Sequence, residues 1–157
     1  MFPRAHHRAL ARARRGFTLI EMLVVVTIIS LLVAFAIPLY GQYVRRSQIS
    51  EAVVFMSDYQ VKLEQYFQDN RTYGSALCAD VASPSWSNFK PANARYFAFG
   101  CTVTGGGTGY KLTAKGVAGR ALGHEYTMTE SGAKSTTMYD NEPQINKGCW
   151  LQAGAEC

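Results

Sequence analysis

The sequence predicts an α+β fold: one long N-terminal helix whose first half is apolar enough to span a bilayer, and whose second half packs on a four-stranded antiparallel sheet. Three observations predict it. From Phe17 to Ile37 every residue except Glu21 is apolar or a small hydroxyl residue. From 41 to 70, apolar residues recur at helical spacing. From Tyr96 onward, four short segments alternate apolar and polar residues. At 157 residues the chain has room for one modest globular domain besides the apolar helix.

In the apolar run, ~20 residues at a helical rise of ~1.5 Å match a hydrocarbon core of ~30 Å. Ahead of it, Arg4, Arg8, Arg12, Arg14 and Arg15 face no acid. Of the sixteen Lys and Arg residues these five carry the whole formal charge of +5, because the other eleven balance the eleven acids. A basic start keeps that end in the cytoplasm and sends the remainder across the membrane. Cys78, Cys101, Cys149 and Cys157 all lie in the exported part, which suits an oxidising compartment. Glu21 costs a few kcal/mol inside such a span, which marks it as a functional group with a partner. Pro38 removes intrahelical bonding at one turn, so a kink or loosened segment is expected there. The competing reading is an ordinary secretory signal cut after Ala34-Phe35-Ala36. Glu21 inside the run, the run's length, and Pro38 close behind that bond argue against it.

Gly16-Phe17-Thr18-Leu19-Ile20-Glu21, after a basic leader and before an apolar helix with Pro38, resembles the N-terminal signature of type IV pilins and pseudopilins. The resemblance is strong through Tyr40 and looser beyond, where hairpins followed by Cys149-Trp150 resemble the globular domain of minor pilins of the PilE kind. It implies a leader, 1–16, that prepilin peptidase removes between Gly16 and Phe17, with N-methylation of Phe17. It also implies that 17–40 is kept as a transmembrane and filament-core helix that assembles through Glu21 and Pro38. Glu21 becomes the fifth residue of the processed chain, within reach of the Phe17 amine of a neighbouring subunit.

Segment 41–70 places Ile49, Val53, Met56, Leu63 and Phe67 three, four or seven apart, with Tyr59 and Tyr66 adjoining. Its polar face carries Arg45, Arg46, Gln48, Glu51, Asp58, Lys62 and Glu64. A core-facing stripe is favoured over a ligand groove or coiled-coil seam, because a small sheet must be covered by something. Asp69-Asn70-Arg71-Thr72-Tyr73-Gly74 ends the helix, and 71–157 forms the globular sheet domain. Residues 75–94 read as a loop long enough to be functional or stapled. Strands are expected at 96–104, 110–115, 124–130 and 133–138, joined by turns at Gly105-Gly106-Gly107-Thr108-Gly109 and Ser131-Gly132. No strand–loop–helix context surrounds the glycine run, so it is a hairpin turn and not a phosphate cradle. An irregular tail follows Tyr139.

The four cysteines allow three pairings and include no C-x-x-C, which argues against zinc. A Cys78–Cys101 bond would pin the long loop over the helix–sheet edge and contribute ~3 kcal/mol. Cys149 and Cys157 would then close a short ring at the C-terminus through Gly148, Trp150 and Gly154, where glycine can supply unusual backbone angles. The alternative joins Cys149 to Cys101 or Cys78 and leaves Cys157 for the other. The local pairing is favoured, because many relatives in the resembling family hold the partner of the terminal Cys-Trp early in strand three, where this chain has Gly123 and His124.

No catalytic role, cofactor or metal is expected: G-x-S-x-G and H-E-x-x-H are absent, and His124 is the sole histidine of the exported part. Asp140, Asn141 and Glu142 could offer oxygens to a calcium ion, but read in preference as a solvated acidic turn. Asn70-Arg71-Thr72 fits the glycosylation triplet but is better explained as helix-end chemistry. The expected function is structural. The resemblance implies a single-pass inner-membrane subunit, N-terminus cytoplasmic, later added to a type IV pilus at the cell surface, where pili serve adhesion and twitching motility. Its partners are other pilin subunits, prepilin peptidase, the inner membrane and the pilus assembly machinery. Two alternatives stand beside this: a type II secretion pseudopilin, and a pilin acting as DNA receptor in DNA uptake. The second rests on Lys111, Lys115, Arg120, Lys134 and Lys147 with Trp86 or Trp150 near them. The neutral charge of the exported part counts against it.

Overall fold

A computed structural model describes residues 16–145, 147–154 and 156–157. The leader through residue 15, with Arg4, Arg8, Arg12, Arg14 and Arg15, lies outside the described residues. The chain divides into two compact units between Pro38 and Leu39. One helix, α1 (Leu19–Asn70), runs through both.

In the first unit the large apolar side chains from Phe17 to Ile37 are all exposed, and by length and composition the helix can cross a membrane. Thr27 and Ser30 donate to the carbonyls of Leu23 and Val26 at 2.8 Å, so two hydroxyls are satisfied within an apolar run. At Pro38 the helix continues as one element, because a single missing N–H removes one bond of the ladder without ending it.

In the second unit α1 buries Ile49, Ala52, Met56, Tyr59, Leu63 and Tyr66. Their steps of three and four put one continuous stripe on one helix face. Val53 and Phe67, expected in that stripe, are half-buried beside it. The stripe meets the inward residues of an antiparallel sheet ordered β1-β2-β3-β4-β5. Its strands are β1 (Phe97–Thr104), β2 (Gly109–Gly116), β3 (Glu125–Thr129), β4 (Lys134–Tyr139) and β5 (Glu142–Pro143). Along β2, Tyr110, Leu112 and Ala114 are buried while Lys111 and Lys115 are exposed, the alternation that a half-buried strand requires. The sheet therefore has five strands where four were expected. Asp140 and Asn141 both take positive φ, 57° and 67°, which reverses the chain tightly enough for Tyr139 to pair with Glu142. Two residues of β5 carry no alternation, so the tail's first part looked irregular in the sequence.

The loop before β1 contains a short 3₁₀ turn, Ser85–Asn88. Cys78 is bonded to Cys101 and Cys149 to Cys157, with Cα atoms 5.8 and 5.9 Å apart. Beyond β5 the tail folds back onto β3 and β4. Thr136 Oγ1 donates to the Cys149 carbonyl at 2.6 Å and accepts from Leu151 N at 2.9 Å. Tyr126 donates to the Leu151 carbonyl at 2.7 Å, and Leu151 is fully buried.

Between β2 and β3 a turn, Gly119–Ala121, returns the chain so closely that a Cβ on Gly116 would overlap the Ala121 carbonyl. Gly116 N donates to the His124 carbonyl at 2.9 Å, so the backbone has no room to retreat. Gly116→Ala is expected to lower unfolding free energy by about 3 kcal/mol, the upper range of overpacking, as a fall in the thermal midpoint of the full chain in detergent.

Candidate functional site

The first candidate site is the start of α1. Gly16 and Phe17 are exposed, and with Thr18 and Glu21 they line one open concavity of about 540 Å³. Glu21 N donates to Thr18 Oγ1 at 3.3 Å, and Thr18 N donates to Glu21 Oε2 at 3.5 Å. This is the reciprocal arrangement of a capping box, satisfying N–H groups that a helix start leaves orphaned. Thr18 was missed as a functional residue, although Thr-x-x-Glu ahead of an apolar run is itself a readable signal. A carboxylate has about four acceptor positions, so Glu21 can hold its own helix start and still take a further donor.

A second candidate is the outward face of the sheet. There Lys111 stands between Thr102 and Thr129, Thr113 between Gly100 and Thr127, and Lys115 between Ala98 and Glu125. Four residues of strand separate the two lysines by ~13 Å. Ammonium and hydroxyl groups on a flat surface suit phosphate oxygens. Two other expected cations, Lys134 and Arg120, lie elsewhere. Lys134 lies 4.6 Å from the Trp150 ring centroid, and that indole donates to the Thr127 carbonyl at 3.0 Å. Arg120 belongs to the turn after β2, where its N–H donates to Gln48 Oε1 at 2.7 Å. Trp86 is packed edge-on against Tyr66 and Phe89.

Three acids brace the second unit, and none gave a local signal. Glu51, expected on the solvent face of α1, accepts from the N–H groups of Arg95, Tyr96 and Phe97 at 2.8 to 3.1 Å and so fixes where β1 begins. Glu64, expected on the same face, accepts from Tyr73 at 3.0 Å and Tyr110 at 3.3 Å. Burial first, then the hydrogen bond to Glu64, raises the Tyr73 phenol to about 12. Asp80 accepts from the N–H groups of Leu77, Ala76 and Ser75 and from the Ser75 hydroxyl at 2.7 to 3.0 Å.

Those backbone bonds, to Leu77 first, hold the Asp80 carboxyl well below the usual carboxylate range. A depressed folded value means the stabilisation is complete above the unfolded pKa of ~3.9 and disappears as pH falls through the lower folded value. The 75–80 turn is therefore expected to keep its amide shifts at pH 4 and lose them only in stronger acid. Asp80→Asn should weaken the turn at neutral pH and abolish that acid dependence, both visible in the Ser75, Ala76 and Leu77 amide resonances.

The glycosylation triplet is engaged in structure: Asn70 donates to the Tyr66 carbonyl at 3.0 Å, and Thr72 Oγ1 donates to the carbonyls of Gly74 and Gly107 at 3.0 and 3.2 Å. His124 is buried just before β3, with Nδ1 3.1 Å from the Leu122 carbonyl and its ring edge-on to Tyr139. Asp140 pairs with Arg45 at 3.4 Å from the β4–β5 turn.

Residues 38–125 match the family model described as type IV minor pilin ComP, DNA uptake sequence receptor. Residues 11–37 match the prokaryotic N-terminal methylation motif. A type IV major fimbrial protein FimA from Dichelobacter nodosus is 40% identical over 72 residues, 45% of each chain. A fimbrial protein from the same organism is 44% identical over 70 residues, 45% of this chain and 42% of the relative. The chain thus spans less than half the length of these relatives. A type IV pilin from Shewanella oneidensis, of solved structure, superposes with a TM-score of 0.44 at 16% identity over 57% of this chain and 89% of that one.

Proposed function

The chain belongs to the family of type IV minor pilins described as ComP, DNA uptake sequence receptor, and from that premise we propose that it is a minor pilus subunit carrying DNA on its sheet. Prepilin peptidase cuts the basic leader between Gly16 and Phe17, and Phe17 is N-methylated. The apolar helix holds the subunit in the inner membrane, with its N-terminus cytoplasmic, until the assembly machinery adds it to a filament of other pilin subunits. Glu21 meets the Phe17 amine of a neighbour there, and Pro38 lies in the filament-core segment. Family membership favours the pilus over the type II secretion pseudopilus. Nothing in this role makes or breaks a covalent bond.

The observation that carries the DNA reading is the outward face of β1 to β3, where Lys111 and Lys115 stand beside Thr102 and Thr113 inside the region matching the DNA-receptor model, with Thr129 just beyond it. Adjacent backbone phosphates are met by cations and hydroxyls without regard to sequence, and each such contact releases counterions. Gel shift with the full chain in detergent at several salt concentrations tests this. The double variant Lys111→Ala, Lys115→Ala is expected to reduce the slope of log affinity against log salt by ~0.9 for each lysine that touches phosphate. An unchanged slope would place the DNA contact elsewhere.

A further inference from the structure

Within residues 39–157, a patch of exposed tyrosines, aliphatic side chains and an arginine is used by neither the capping box nor the sheet face. Tyr40 and Tyr43 are 71% and 75% exposed and, with Tyr96, border a cleft of about 190 Å³. The turn Gly119–Ala121 adjoins it. Val117 N donates to the Tyr96 carbonyl at 2.8 Å, Arg120 N donates to Gln48 Oε1 at 2.7 Å, and the Arg120 guanidinium lies against Gly41. On that turn Val117 and Leu122 are 52% and 54% exposed, an arrangement that costs hydrophobic free energy in water. Arg120 is an exposed cation of the patch, while the nearby Asp140 is taken up by Arg45.

We propose that this patch seats the subunit on anionic phospholipid headgroups before assembly. The proposal rests on the reading of 17–37 as the membrane-spanning segment. Chain continuity supports a lipid occupant: Tyr40 and Tyr43 follow Ile37 by only three and six residues, so the chain itself tethers them within ~11 and ~22 Å of the end of the span, close to the headgroup layer. Tyrosine is enriched at that depth, since its ring tolerates the acyl boundary while its hydroxyl stays wet. Arginine complements lipid phosphate in bidentate fashion. Val117 and Leu122 add the apolar contact that a bilayer surface accepts and a phosphate backbone does not. The residues converge from two elements far apart in the chain, the 40–48 turns of α1 and the 117–122 turn, so they form one surface only in the folded domain.

The test uses the full chain reconstituted at low density into vesicles containing chain-brominated phosphatidylglycerol or chain-brominated phosphatidylcholine. Leu122→Trp supplies the reporter and Thr102→Trp, on the outward sheet face, the control; each is read as a difference from the parent emission. Blue-shifted, quenched emission from Leu122→Trp in the anionic vesicles, absent from the control and lost on adding Arg120→Glu, is expected. Carbonate extraction in parallel checks that the chain stays inserted. An inserted chain whose reporter is neither shifted nor quenched overturns the headgroup seat. So does a shift that appears only as chains are crowded or DNA is added, which would assign the patch to a second subunit or to nucleic acid. A chain released by carbonate overturns instead the membrane-spanning reading beneath it.

Discussion

Gly16→Val leaves the chain at full length and out of filaments. Among the described residues, no atom beyond its chain neighbours lies within 4 Å of where a Cβ on Gly16 would stand, and the residue precedes the first turn of α1, so the substitution disturbs no fold contact described there. Its effect is then expected at the proposed scissile bond, where two isopropyl methyls would crowd a backbone that a peptidase must approach closely. Blocked cleavage keeps the basic leader on the helix and denies Phe17 a free amine. Immunoblotting of membrane fractions should show only the unprocessed form, with no subunit in sheared filaments. A mature chain whose first residue is Ile37 would point to ordinary signal cleavage.

Glu21→Ala is expected to leave membrane insertion intact or improved and to cut filament incorporation by more than about a hundredfold, corresponding to the ~3–5 kcal/mol lost when one partner of a buried charge pair is removed. The alanine also deletes half of the capping box with Thr18. Thr18→Ala separates the two roles, because it removes the hydroxyl that caps the helix, at about 1 kcal/mol, and keeps the carboxylate. Normal incorporation of Thr18→Ala beside failed incorporation of Glu21→Ala is the expected pair of results. Equal loss in both would reduce Glu21 to a helix cap.

What the sequence made legible was repetitive. Ile49, Met56 and Leu63 recur on one helix face, and Tyr110, Leu112 and Ala114 on one strand face, so a single principle placed each set. The helix over a meandering sheet follows from those periods. Glu51, Glu64 and Asp80 escaped, because an acid that accepts backbone or phenol bonds from distant residues looks like any solvated carboxylate in its own neighbourhood. Periodicity even misplaced the first two, since both stand next to the apolar stripe. The cation stripe failed for a related reason: similar charge in a list of residues says nothing of whether strands and turns bring the side chains together. Lys111 and Lys115 share a face because they are four apart on one strand, whereas Lys134 spends its charge on the Trp150 ring.

Leu151 closes the core from beyond β5, the last buried residue in chain order among those described, and Tyr126, Thr136 and Tyr139 wait for the tail to supply their partners. On the proposed topology, with the N-terminus held in the cytoplasm, the helix and hairpins reach the far side before the tail does, while a slot in the core remains vacant. Native packing density is reached only when the tail arrives. On that topology the domain stays loosely packed until Leu151 arrives, and the Cys149–Cys157 bond closes the same stretch of tail.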